Sequence, residues 1–134
     1  MSLLSANVII CETVLTEKTE VISAVRIMNV LRISGGLNFA KFSSVTFLAS
    51  EPGDTSPHKI KVQMISSSGD FVAEAPERWF FYGYNVDPSG PGGYTLTTEF
   101  NLDLSPLGTL GSYAVWVFLD DVRVCGAPLI MRRV

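Results

Sequence analysis

A strict alternation of side chains between residues 94 and 104 constrains the fold of this chain more than any other feature. One parity is mostly apolar and consists of Tyr94, Leu96, Thr98, Phe100, Leu102 and Leu104. The other parity is polar and consists of Thr95, Thr97, Glu99, Asn101 and Asp103. Side chains of a β-strand point alternately to its two faces, so a period of two predicts a strand with one buried and one solvated face.

Similar patterns recur along the chain and predict further strands. An apolar row of Tyr113, Val115, Val117 and Leu119 follows the polar connection after Leu104. Ile60, Val62 and Met64 alternate with Lys59, Lys61 and Gln63. The other predicted strands are Ala6–Leu15, Val21–Ile33, Phe42–Ser50 (Val45, Phe47 and Ala49 on one face), Phe71–Pro76, Arg78–Tyr82 and Val122–Met131. We expect the first two to form a hairpin, and Pro128 to mark an edge position or a bulge in the last.

These elements predict an all-β fold in one domain, residues 1–134. Seven to nine short strands, with turn signals about every ten residues and no amphipathic helix, are typical of an antiparallel β-sandwich with Greek-key connections. Strands that alternate with helices, as an α/β fold requires, are not indicated.

The segment Leu110–Val115 resembles the tyrosine corner of immunoglobulin-like sandwiches, with Tyr113 near the start of the penultimate strand. In that corner the tyrosine hydroxyl bonds to the backbone a few residues upstream. An ordinary interior tyrosine is the alternative. Neither interpretation implies chemistry.

Several segments together resemble a family of small, uncharacterised bacterial single-domain proteins. They are Ala6–Glu12, Ser23–Ile27, Gly111-x-Tyr113 with Phe118-Leu119-Asp120, and Pro128-Leu129. The resemblance implies an immunoglobulin-like β-sandwich and supplies no catalytic residue.

Composition narrows the function classes. The net charge is −3, and no cluster of Lys and Arg interleaves with aromatic residues, so we expect no nucleic-acid partner. No run approaches the roughly 18 apolar residues of a membrane span, and the N-terminus lacks the basic start of a signal peptide. We therefore expect a cytoplasmic protein with no membrane association. Cys11 and Cys125 are expected to be unpaired small hydrophobes, although a disulfide stays open if the first and last strands are neighbours.

The single histidine, His58, is the only candidate base for a Ser-His-Asp hydrolase. Ser56 lies two residues away in a loop with prolines at 52 and 57, and the chain contains no Gly-x-Ser-x-Gly elbow. We expect His58 to be a solvated loop residue, and we expect neither catalytic residues nor a cofactor.

Carboxylates are predicted to gather at one end of the sandwich. If the strands alternate in direction, the loops 51–58, 85–93 and 120–121 meet there and bring together Glu51, Asp54, Asp87, Asp120 and Asp121. These residues are weak candidates for a calcium site, because their spacing does not follow a known loop motif. A basic partner is the other candidate ligand.

Aromatic residues form the second candidate surface. One group of rings lies in one stretch and consists of Trp79, Phe80, Phe81, Tyr82, Tyr84 and Tyr94. Trp116 and Phe118 point away from the apolar row of their strand. Such a face is either covered within the chain, for instance by the N-terminal hairpin, or used in an interface.

The sequence therefore predicts a non-enzymatic binding or structural module. Protein binding or self-association would use Asp54, Asp87, Asp120, Asp121, Trp79, Tyr82, Tyr84 and Trp116. A calcium- or glycan-binding module that uses the same loops is the alternative, and a hydrolase built around His58 ranks last.

Overall fold

The alternation between residues 94 and 104 is the burial pattern of one long strand. Leu96, Thr98, Phe100, Leu102 and Leu104 are buried, whereas the intervening polar side chains are exposed. The computed structural model describes residues 3–16, 22–34, 36–83, 90–104 and 111–133. The strands in this part of the chain are β1 (Leu3–Thr16), β2 (Ile22–Ile27), β3 (Val30–Ile33), β4 (Phe39–Ser50), β5 (His58–Ser66), β6 (Phe71–Glu74), β7 (Arg78–Phe80), β8 (Gly92–Asp103), β9 (Ser112–Leu119) and β10 (Val122–Arg133).

The strands form two sheets, as predicted for a β-sandwich. One sheet has the order β2-β1-β4-β8, and the other has the order β3-β10-β9-β5-β6, with β7 also paired to β5. Taking β4, β5, β8, β9 and β10 as strands B, C, E, F and G, the neighbours B–E and G–F–C are those of an immunoglobulin-like sandwich. The fold class is confirmed.

Ten described strands exceed the expected range by one, because the predicted strand Val21–Ile33 is divided. Val21 lies outside the described residues, and the rest forms β2 and β3, which belong to different sheets. Met28 N–H still donates to Ile10 of β1, whereas the Asn29 carbonyl accepts from Ile130 of β10. The chain therefore changes sheet between Met28 and Asn29. The expected antiparallel pairing of β1 with β2 is confirmed.

The core lies between the sheets and uses the predicted faces of β5, β8 and β9. Ile60, Val62 and Met64 are buried, as are Val115, Val117 and Leu119. The core face of β4 instead carries Phe42, Ser44, Thr46, Leu48 and Ser50, and Phe42 stacks on Phe100 at 5.0 Å. Val45, Phe47 and Ala49 thus share the opposite face of the strand.

Pro128 lies in a part of β10 that pairs only with β9, because β3 reaches no further than Ile130. No described strand pairs with Pro128 on the side of β10 that faces β3, so no N–H donor is needed there, which fits the predicted edge position. The bulge of β10 lies elsewhere, between Arg123 and Cys125. Cys11 and Cys125 are both free thiols, on strands of different sheets.

Candidate functional site

The predicted gathering of loops at one end of the sandwich is seen for residues 51–57 and for the Asp120–Asp121 turn. The first connects β4 to β5, and the second connects β9 to β10. Asp120 N–H donates to the Lys59 carbonyl at 2.9 Å, so the turn lies against the start of β5. Asp87 and Tyr84 lie outside the described residues.

His58 joins the two connections through both of its ring nitrogens. Nε2 lies 2.9 Å and 2.8 Å from the two carboxylate oxygens of Asp54, and Nδ1 lies 2.7 Å from Oδ2 of Asp120. The side chains of His58 and Asp54 are 13% and 5% exposed. His58 is therefore not the solvated loop residue that we expected. It begins β5 and is held between two carboxylates.

The charges of this cluster favour a protonated imidazole. Partial burial lowers the pKa of His58, but hydrogen bonds to Asp120 and Asp54 and the negative charges of both raise it more, so the pKa lies above its ordinary value. For Asp120, burial acts in the opposite direction and raises the pKa of the carboxyl. The hydrogen bonds from His58 and from the Lys59 amide outweigh burial, so the pKa of Asp120 lies below its ordinary value. Both nitrogens of an imidazolium donate, so neither is left to accept a proton from a nucleophile. The geometry gives the hydrolase alternative no support.

Local backbone chemistry positions both carboxylates. Asp54 Oδ1 accepts a hydrogen bond from Ser56 N–H at 3.0 Å, which is the arrangement of an Asx turn. Asp120 and Asp121 have φ of 49° and 66°, the left-handed conformation that a two-residue hairpin turn requires and that Asp tolerates better than most residues. Asp120 Oδ1 then accepts from Lys59 N–H at 2.9 Å.

Aromatic rings pack behind the histidine. Tyr82 meets the imidazole edge-on at 5.2 Å, and Phe80 stacks on Tyr94 of β8 at 4.0 Å. Tyr82 is only 5% exposed. The prediction that Tyr82 contributes to a binding surface is therefore wrong, because its ring fills the end of the core.

Trp79 and Phe81 have the opposite orientation and are 67% and 64% exposed. Trp79 pairs with Lys59 in the β5–β7 ladder, so the two side chains lie on the same face. Lys59 Nζ lies 3.0 Å from Asp121 and 3.5 Å from Glu77. The aromatic and acidic surfaces expected separately are thus adjacent. We call Glu77, Asp120, Asp121, Trp79 and Phe81 the acidic–aromatic end. The prediction that Asp54 contributes to a binding surface is wrong, because its side chain is buried against His58.

Trp116 is half-buried and is covered within the chain. Coverage within the chain is one of the two alternatives that the sequence left open for this face. The cover is not the N-terminal hairpin, which belongs to the other sheet. The Arg123 guanidinium lies over the indole, 4.2 Å from its centroid, and the ring itself packs on Gly126. Trp116 is consequently not part of the acidic–aromatic end.

Oxygens of Asp54 and Asp120 face N–H donors, which a cation would have to displace. Within the described ranges no three His, Cys, Asp or Glu side chains are placed to hold a metal ion. The calcium alternative therefore gains no support from the geometry. Glu51, the other described carboxylate of the predicted set in the connection 51–57, is exposed. No helix in the described part of the chain is long and apolar enough to cross a membrane.

Sequence reasoning missed Lys59 and Glu77, and it did not distinguish Phe81 from the other rings of the aromatic stretch. The run from Trp79 to Tyr82 is aromatic at every position, so its alternation does not reveal which pair points outward. The ion pairs of Lys59 with Asp121 and Glu77 depend on the pairing of β5 with β9 and with β7, which the local sequence does not report.

Comparisons with known proteins add no activity. No protein-family model matches the sequence, and no curated protein does so. Among solved structures, the chain is similar to the alkylpurine DNA glycosylase AlkC of Pseudomonas fluorescens, solved bound to DNA that contains an abasic-site analogue. The TM-score is 0.51 at 13% identity, over 78% of this chain and 27% of the glycosylase chain.

A second similarity is to an immunoglobulin-like protein (PA1606) from Pseudomonas aeruginosa. It covers 96% of this chain and 99% of the other, at 15% identity and a TM-score of 0.41. Sequence identities this low indicate a shared fold at most. The strand order alone identifies the chain as an all-β protein with an immunoglobulin-like sandwich.

Proposed function

We propose that this chain is a non-enzymatic binding module that contacts a protein partner through its acidic–aromatic end. The observation that carries the proposal is the exposure of Trp79 and Phe81, two large aromatic side chains beside the charged Lys59–Asp121 pair. Trp and Tyr dominate the energetics of protein interfaces, and aromatic residues are enriched in their cores.

The surroundings of the two rings support recognition rather than folding. Phe80 and Tyr82, on the alternate parity, already fill the core, so Trp79 and Phe81 add little to it. The His58 cluster fixes the adjacent loops through three short contacts, so the surface is preorganised. Asp121 and Glu77 pair with Lys59, the ladder partner of Trp79. Together with Glu74 they outnumber the ammonium groups of Lys59 and Lys61, which favours a partner with basic side chains at its rim.

The test is affinity capture from host lysate with three baits. They are the native chain, the variant Trp79→Ser/Phe81→Ser, and the control Phe71→Ser. Phe71 is 58% exposed on β6, so the control removes a similar exposed ring from another part of the surface. The proposal expects a partner retained by the native chain and the control, and lost by the double variant. Equal retention by all three baits, or no specific partner for any, would contradict it.

A further inference from the structure

We infer that a second copy of this chain can occupy the acidic–aromatic end, by inserting that end into a basic cleft at the opposite end of its neighbour. This inference rests on the proposed function, since it uses the same surface. The cleft has a volume of about 500 Å³, and its lining includes Glu12, Arg26, Arg32, Leu37, Phe39 and Lys41.

The cleft combines positive charge with exposed apolar surface. Arg26, Arg32 and Lys41 contribute three cations, against the two carboxylates of Glu12 and Glu99, which pair with Arg26 at 3.2 Å and with Lys41 at 2.9 Å. Phe39 is 61% exposed and Leu37 is also exposed. An aromatic ligand that carries carboxylates therefore matches both properties of the cleft.

Two further arginines increase the positive charge. Arg132 pairs with Arg32 in the parallel β3–β10 ladder, and both side chains are exposed. Arg133 donates to the Leu37 carbonyl at 2.7 Å, on the wall of the cleft. Like charges on neighbouring strands repel each other, so carboxylates of an incoming group would relieve an unfavourable pairing.

The acidic–aromatic end has the complementary composition. Trp79 and Phe81 supply the rings. Asp121, Glu77 and Glu74 supply three carboxylates, against the two ammonium groups of Lys59 and Lys61 with which they pair. The strand β4 shows that the two surfaces face away from each other. Phe39 and Lys41 line the cleft at its start, and Ser50 precedes the acidic loop roughly 35 Å further along. One copy cannot satisfy its own cleft, but a second copy can.

Such a contact is heterologous, because different surfaces of the two copies meet. Repetition of a heterologous contact produces an open chain of copies unless the rotation between them closes a ring. The association should weaken as ionic strength rises, because its rim consists of exposed charges.

Complementing variants provide a test that a symmetric dimer could not pass. Trp79→Ser/Phe81→Ser removes the inserted rings and keeps the cleft, whereas Arg32→Glu/Phe39→Ser changes the cleft and keeps the rings. Sedimentation velocity of the native chain should show a mass above 14.6 kDa that grows with concentration and falls with added salt. Each variant alone should associate at least about tenfold more weakly. An equimolar mixture should form a dimer that does not grow further, since one intact end remains for one intact cleft.

Three results would overturn the inference. They are a native chain that stays monomeric at every concentration, single variants that associate as the native chain does, and a mixture that stays monomeric. Melting curves establish that each variant is folded. If the melting temperature of a double variant falls well below that of the native chain, a single variant is used instead. Trp79→Ser then replaces Trp79→Ser/Phe81→Ser, and Arg32→Glu replaces Arg32→Glu/Phe39→Ser, with the same expectations. A monomeric native chain that still captures a lysate partner through Trp79 and Phe81 would remove this inference and leave the proposed function standing.

Discussion

Trp116 lies flat against Gly126, its direct partner in the β9–β10 ladder. A β-carbon on Gly126 would lie 2.2 Å from Cε3 of the indole, a separation that atoms cannot adopt. The φ of Gly126 is not among the positive values found in the described residues, so the backbone here does not require glycine. The requirement is purely steric and comes from the tryptophan.

The Gly126→Ala change should therefore destabilise the fold by about 1–3 kcal/mol, because the indole must move away from Arg123 and Gly126. In a Trp116→Ala background the clash is absent, and the same change should stabilise by about 0.4–1 kcal/mol by restricting the unfolded chain. Urea denaturation of the four proteins in this cycle measures both effects. An equal cost in the two backgrounds would show that the indole does not set the requirement.

Stability should depend on pH through His58. Its folded-state pKa lies above the ordinary 6.5, so its stabilising contribution is complete below 6.5 and is lost as pH rises through the folded pKa. The unfolding free energy should accordingly fall over that range, and His58→Gln should flatten the curve. For Asp120, whose pKa lies below 3.8, the contribution is present above 3.8 and is lost as pH falls through the folded value.

The pKa itself can be read from an NMR titration of the single histidine ring. Asp54→Asn and Asp120→Asn should each lower it, since each removes one carboxylate bonded to the ring. A native value at or below 6.5 would contradict the protonated cluster.

Neighbouring turn residues should respond oppositely to glycine. Asp120 and Asp121 both have positive φ, which glycine adopts without strain. Asp121→Gly loses only an exposed ion pair with Lys59 and should be neutral or stabilising by up to about 1 kcal/mol. Asp120→Gly also removes the acceptor of His58 and of the Lys59 amide, and should destabilise by about 1–3 kcal/mol. Thermal melting distinguishes the two, and equal shifts would mean that the His58 contact contributes nothing.

The thiols should be unreactive in the folded protein. Burial raises the pKa of Cys11 and raises that of Cys125 to about 11, so few thiolates form at pH 8. Reaction with an aromatic disulfide reagent at pH 8 should be slow for the native chain and fast after unfolding in guanidinium. The variants Cys11→Ser and Cys125→Ser assign the rates, and Cys11, which is fully buried, should react last. Fast labelling of native Cys11 would contradict its placement.

The sequence predicts the core face of a strand where the opposite face is exposed to solvent. In β8 the exposed face is polar at every position, so the alternation identifies the core face directly. In β4 the same reasoning has no clear signal, because the core face contains Ser44, Thr46 and Ser50, and Phe47 lies opposite. The change of sheet after Met28 depends on hydrogen bonds to Ile10 and Ile130, which no local pattern encodes.

For the site, chain direction was enough to bring Asp54 and Asp120 to one end. The role of His58 could not be predicted, because its partner Asp120 is 62 residues away and the contact depends on how two loops pack. The tyrosine corner stays a prediction, since residues 105–110 lie outside the described part of the chain. Tyr113 itself is half-buried at the start of β9.

The placement of β1 and β10 in different sheets, with Leu3 and Arg133 at opposite ends of the sandwich, has a mechanical consequence. Leu3 pairs with Ser50 at one end of the sandwich, and Arg133 pairs with Ile33 at the other. Tension between Leu3 and Arg133 would act along the strands and load the β1–β4 and β3–β10 ladders in shear. Hydrogen bonds loaded in shear share the force and break together, whereas an unzipped hairpin opens one bond at a time. The sandwich should therefore resist stretching along its long axis better than peeling across it.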